Sequence, residues 1–266
     1  MASGDYSHVL WKRGKLRVSD MYREDYTQRY PRDDVAGASF SGRASLAYHT
    51  AFDLCAAEAA RAGGPTAVLA SGAFYAREVV RRLDGEVLLH FPRDPGLGES
   101  QIQTALGPEV DWARLRVASA MMDTAMAEAQ TLVWAEPERD TWQAILANLR
   151  DLGPCAVLVL GTTWLRRLVP EWQDGAYRPA AAPLGSRGRI AEALRGEGHA
   201  VRETYGFHGP RSLLWGTASR IPAALGRDDL VDRCLAGMRQ DFIVRGWQTR
   251  WAPVWLVVAS EGGDRG

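Results

Sequence analysis

Short, almost unbroken apolar runs alternate along this chain with longer amphipathic stretches. TAVLAS (66–71), EVLLHF (86–91), QTLVWAE (130–136), PCAVLVLGTTW (154–164) and APVWLVVAS (252–260) read as strands, and LRVASA (115–120) and VRETYGF (201–207) as weaker ones. A strand wet on one side alternates apolar and polar residues. Most of these do not alternate, so both faces of their sheet must be covered. The cover is supplied by stretches that read as helices: 44–62, 74–83, 138–153, 186–200, and 212–242 with interruptions at Pro222 and Gly226. Leu46, Phe52, Leu54 and Cys55 recur at helical spacing in the first, and Gly63-Gly64-Pro65 ends it. Strands that alternate with helices predict an α/β fold with a mostly parallel sheet. In such a sheet, ligands bind at the carboxyl ends of the strands.

Charge and cysteine content narrow the function. Lys+Arg and Asp+Glu both number 32 in 266 residues. A balanced chain is not one held mainly by phosphate charge, although a local basic patch remains compatible with it. The expected partner is therefore a small-molecule substrate, with no nucleic acid. No apolar run approaches the roughly 20 residues that span a bilayer, so no membrane partner is expected. The opening MASGDYSHVLWKRGKLR lacks the apolar core of a secretory signal. Cys55, Cys155 and Cys234 stand far apart, which favours a reducing, cytoplasmic setting over a disulfide framework. No His/Cys/Asp/Glu grouping has metal-ligand spacing, so no metal is expected. The oligomeric state is open, a homodimer included.

Three segments are expected. Residues 1–43 form an N-terminal helical lid segment. A helix over about 19–30, stopped by Pro31, would carry Tyr22, Tyr26 and Tyr30 on one face, packed either on the main domain or over a ligand. Residues 44–260 form the α/β domain, with a helical insertion at 211–245, and residues 261–266 a flexible tail.

Three passages carry a family resemblance: AVLASGAFYAREVVRRL, WQAILANLRDLGPCAVLVLGTTW and RIAEALRGEGHAVRETYGFHGPRSLLWG. In order and texture, residues 44 to 260 resemble the class I S-adenosylmethionine (SAM) dependent methyltransferases of small molecules. The resemblance implies a Rossmann-like methyltransferase fold. Its mostly parallel seven-stranded sheet would carry helices on both faces, a helical N-terminal lid and a helical insertion before the last strand. It also implies SAM, but the sequence departs from the family at three anchors. Where the family has an acid and then a Gly-rich loop, this chain has Leu69-Ala70-Ser71-Gly72-Ala73-Phe74-Tyr75, with only Gly72 remaining. The ribose-binding acid at the end of the second strand is replaced by His90-Phe91-Pro92, with Asp94 beyond. The third anchor reads Ala118-Ser119-Ala120, with Asp123 three residues on. Losing a bidentate ribose contact and a shaped loop would total roughly 4–6 kcal/mol, on the order of a thousandfold in affinity. The cofactor is therefore either none or SAM. If SAM is kept, Ser71, Gly72, Phe91 and Asp123 are the residues expected around it.

Four residues are candidates for chemistry. His208, in Tyr205-Gly206-Phe207-His208-Gly209-Pro210-Arg211, titrates near neutrality where a strand gives way to helix, and Arg211 could hold an oxyanion. Glu136 closes a strand beside Trp134 and could act as a base, or simply face the dipole of the helix that follows. His90 lies at the functional edge, as a ligand contact or as a buried strand-end histidine. Tyr22, Tyr26, His49, Phe74, Tyr75, Trp134, Thr163, Trp164, Trp172 and Tyr205 are expected to line a pocket for a bulky apolar substrate, with core packing as the alternative for the aromatic residues. Three functions follow. The first is a natural-product tailoring enzyme with an eroded SAM site that cyclises or isomerises its substrate. The second is a SAM-dependent O-, N- or C-methyltransferase with a rebuilt loop, and the third a non-catalytic ligand-binding pseudoenzyme.

Overall fold

The computed structural model describes residues 42–108, 110–120, 124–163, 184 and 186–262. The expected lid, with Tyr22 and Tyr26, lies outside the described residues, as do Asp123, Trp164 and Trp172. In chain order the elements are α1 (Gly42–Ala62), β1 (Thr66–Ala70), α2 (Ala73–Val80), β2 (Val87–His90), α3 (Glu99–Leu106), β3 (Leu115–Val117), α4 (Thr124–Ala127), β4 (Thr131–Ala135), α5 (Trp142–Leu152) and β5 (Ala156–Thr162). They continue as α6 (Arg187–Gly196), β6 (His199–Phe207), α7 (Pro210–Ala218), α8 (Arg220–Ala224), α9 (Asp228–Gln240), β7 (Ile243–Arg245), a 3₁₀ helix (Gly246–Trp251) and β8 (Val254–Glu261).

All eight strands form one sheet in the order β3-β2-β1-β4-β5-β8-β6-β7. β1 to β5 pair in parallel. β8 runs antiparallel to both β5 and β6, so β6 points the same way as β5. Seven strands were expected; the eighth is β7, inside the segment expected to be a helical insertion. Three residues are too few to show a strand period, and β7 exists because it pairs with Tyr205–Phe207. Glu261, expected in the tail, closes β8, and the Gly262 N–H donates to the Gly198 carbonyl at 3.0 Å.

Alternate residues of each strand feed two cores. On one face α1, α2, α3 and the α8–α9 region cover Val68, Leu89, Val133, Leu158 and Leu256. On the other, α4, α5 and α6 cover Leu69, Leu88, Trp134, Val159 and Trp255. This double burial is what the unbroken apolar strands require.

The reversed strand depends on one glycine. Gly161 pairs with Trp255 across β5 and β8, and a Cβ at Gly161 would stand 2.5 Å from Cζ2 of that fully buried indole. Gly161→Ala is expected to lower stability by about 1–3 kcal/mol, read as a reduced urea midpoint, because a large ring in a packed core cannot withdraw.

Candidate active site

The carboxyl ends of β1, β2, β4 and β5 converge on one edge of the sheet, and the polar residues there differ in what their partners leave available. At the end of β2, His90 is buried, and its Nδ1 lies 3.0 Å from the Ala118 carbonyl beyond β3. A carbonyl only accepts, so Nδ1 carries the proton and Nε2 is left as an acceptor. Among the described residues Nε2 makes no hydrogen bond. The apolar neighbours of His90 in β2 alternate, Leu88 toward α4–α6 and Leu89 toward α1–α3, so His90 faces the α4–α6 side. Ser71 follows β1 with its N–H on the Ala135 carbonyl, and its buried Oγ has no hydrogen-bond partner among the described residues. Next to it, a Cβ built on Gly72 would meet nothing within 4 Å, so the backbone before α2 borders open space.

β4 ends in two carboxylates with different surroundings. Glu136 takes φ +58° and is 1% exposed. Its N–H donates to the Leu160 carbonyl at 2.7 Å, and its Oε1 accepts from Thr162 Oγ1, also at 2.7 Å. Glu138, two residues on, is 4% exposed, and its Oε1 has no hydrogen-bond partner among the described residues. Burial pushes the Glu138 proton affinity above the usual carboxylate range; Arg93 opposes this, while Asp140 and Asp94 add to it. Arg93 and Asp94 come from the loop after β2, so the β2 and β4 loops meet over the end of β1. A recess of about 370 Å³ adjoins this edge beside β3, lined by Pro95, Leu97, Trp112 and Val117 with Glu99 and Arg116.

The other expected residues fall elsewhere. His208, at the end of β6, is fully buried with φ +62°. Its Nδ1 lies 2.8 Å from Ser212 Oγ, and its ring stacks on Phe242 at 5.3 Å. Arg211 is exposed in the first turn of α7. Thr163 Oγ1 donates to the Ala252 carbonyl at 3.1 Å. Five of the expected contact residues are packed within the protein instead. Trp134 belongs to the α4–α6 core, and Tyr75, Phe91 and Tyr205 to the opposite core, because the strand and helix periods turn them inward. His49 is buried between α1 and α2, where Arg82 lies 2.7 Å from its Nδ1. Phe74 is half-buried and joins Tyr48, Phe52 and Tyr75 in a cluster of edge-on rings. Sequence reasoning missed Glu138 and Arg93. The signal available for Glu138 was a carboxylate between a strand-ending Pro137 and the start of α5.

No family model matches the chain, and no curated protein matches it. Among solved structures, it is similar to magnesium protoporphyrin IX methyltransferase from Synechocystis PCC 6803 with bound SAH, at 13% identity and TM-score 0.46, over 93% of this chain and 99% of that one. Geranyl diphosphate C-methyltransferase from Streptomyces coelicolor A3(2) gives 12% identity and TM-score 0.40, over 74% and 69%. The small RNA methyltransferase HEN1 gives 9% and 0.48, over 82% of this chain but only 26% of that one. With β8 reversed beside β5 and β7 reversed at the edge, the otherwise parallel, doubly covered sheet has a Rossmann-like α/β fold of the methyltransferase type.

Glu138 gives the site a pH signature. Folded protein holds the Glu138 proton at pH values where the unfolded chain has released it. Stability from this group is complete below the unfolded pKa and is lost as pH rises through the folded one. Glu138→Gln is therefore expected to raise the urea midpoint at about pH 8 and leave it unchanged at about pH 4.

Proposed function

We propose that the protein is a small-molecule tailoring enzyme that uses a methyltransferase scaffold for proton transfer, cyclising or isomerising a bulky, mostly apolar substrate. The observation that carries this reading is the presence at one edge of the sheet of two groups, His90 Nε2, an acceptor by virtue of the Ala118 bond, and Glu138, a carboxyl that keeps its proton to higher pH than usual. Such a pair suits general acid–base catalysis near neutral pH. His90 would take a proton from one substrate atom and Glu138 would deliver one to another, so the substrate is rearranged with no net change in protons. Exchange with solvent resets both groups. The recess beside β3, with Trp112, Leu97 and Pro95, suits an apolar body. His208 and Arg211 remain candidate contacts for a substrate that extends toward β6.

SAM suits this edge poorly. In the methyltransferases that the sequence resembles, a carboxylate after the second strand accepts from the ribose hydroxyls. Here that strand ends at His90, whose Nδ1 is held by Ala118, and the following Phe91 is packed in the core. The donor set does not fit the cofactor in its usual seat, and no step of the proposed reaction runs through it. One observation favours the alternative, a SAM-dependent methyltransferase with a rebuilt loop: the open space over Gly72 leaves the backbone approachable.

Calorimetric titration separates the two readings. We expect SAM to bind more weakly than about 100 μM, roughly −5.5 kcal/mol. Tighter binding that Gly72→Leu abolishes would replace the proton-transfer reading with methyl transfer.

A further inference from the structure

Away from the strand-end site, the 3₁₀ helix between β7 and β8 carries an unusual surface. Its sequence is Gly246-Trp247-Gln248-Thr249-Arg250-Trp251. Trp247 is 69% exposed and Trp251 49%, although tryptophan is seldom left in water without a partner. Residues three apart eclipse one another in a 3₁₀ helix, so Trp247 and Arg250 share a face. Thr249 is fully buried, with its Oγ1 donating to the Gly246 carbonyl at 2.6 Å, which anchors the opposite side of the turn.

A second cation reaches the same turn from α6. Arg187 Nη1 donates to the Gly246 carbonyl at 3.3 Å. Burial lowers the Arg187 proton affinity, and the nearby positive charge of Arg250 lowers it further. Among the described residues neither guanidinium has a carboxylate partner. Arg245, just outside the turn, behaves otherwise: it lies 3.5 Å from a Glu203 oxygen and covers the Tyr205 ring at 5.0 Å. Two nearby cations repel, and an anion held between them would offset that repulsion. An exposed indole beside them offers a stacking plane.

We propose that Arg187, Arg250 and Trp247 form a binding site for a nucleotide unit, with the phosphate between the two guanidiniums and the base stacked on the indole. The unit is either a free nucleotide or one residue of a single strand. A lipid surface fits less well, because the turn offers indoles alternating with cations and no aliphatic side chain to immerse.

The test uses the full chain and a fluorescein-labelled oligoadenylate RNA decamer, read by anisotropy across a salt series, with AMP and phosphatidylserine vesicles as separate arms. Decamer binding is expected to weaken about tenfold in Trp247→Ala, the loss of one stacked base. In the Arg187→Gln/Arg250→Gln double variant, the slope of log affinity against log salt should fall by about 1.4, two phosphate contacts on a single strand. Competition by AMP at the same variant-sensitive site identifies a free nucleotide as the source, and decamer binding without it identifies a strand. Arg227→Gln, in the surface turn between α8 and α9, should bind as wild type does. Matching thermal melts exclude unfolding, and if Trp247→Ala melts early, the double variant carries the test. The proposal is overturned if neither probe binds, if the variants bind as wild type does, or if only the vesicles bind.

Discussion

A buried carboxylate holds the scaffold of the active edge together. Glu78, in α2, is 2% exposed and lies within 2.6–3.1 Å of the guanidiniums of Arg81, Arg82 and Arg77. Arg82 extends the network to Asp53 at 2.8 Å and to His49 Nδ1 at 2.7 Å, both in α1. Nδ1 accepts from a guanidinium that cannot lose its proton, so the imidazole stays neutral. Burial first, and then Arg82, Arg81 and Arg77, push its proton affinity well below the ordinary value. Removing one member of such a network strands the remaining charges away from water, at several kcal/mol. The network cross-links α1 to α2, and α2 begins at the loop that carries Ser71 and Gly72. The position of that loop over the end of β1 is thus fixed from beneath, on the face opposite His90.

The architecture was largely legible in the sequence because its cause is local. A strand buried on both faces must be apolar along most of its length, and TAVLA, VLLH, TLVWA and AVLVLGT are, with a threonine or histidine only at an end. β7 was not legible, since IVR has no period of its own and is a strand only through its pairing with β6. The strand ends were legible to within a residue or two, which is enough for His90. It is not enough for a carboxylate in a turn: Glu136 ends the apolar run, yet its left-handed backbone carries its Oε1 to Thr162, while Glu138 Oε1 makes no hydrogen bond among the described residues. Trp134 and Tyr75, open in the sequence between pocket and core, lie in core clusters, and the sequence could not separate the two for a different reason. An aromatic residue next to a site and one beneath it look alike in sequence, and only the face of the strand or helix separates them.

Composition concealed as much as it disclosed. Equal numbers of acidic and basic residues say nothing of how the charges are sorted over the surface. Acids gather around Glu138 at the β2 and β4 loops, with Arg93 as their counterweight. Arginines with no carboxylate partner among the described residues, Arg187 and Arg250, gather at the turn before β8, on the far side of β5 in the sheet order. A neutral chain can therefore present two regions of opposite character, each suited to a different ligand.

Glu136 and His208 are the only described residues other than glycine with φ in the left-handed region, and they close β4 and β6 at the same edge of the sheet. A side chain in that conformation costs of order 1–3 kcal/mol that glycine would avoid. Selection for heat resistance alone would drift both positions toward glycine, erasing a carboxylate and an imidazole together. Each sits in a backbone shape that penalises it and so measures what the fold surrenders in robustness to hold an ionisable group at the end of a strand.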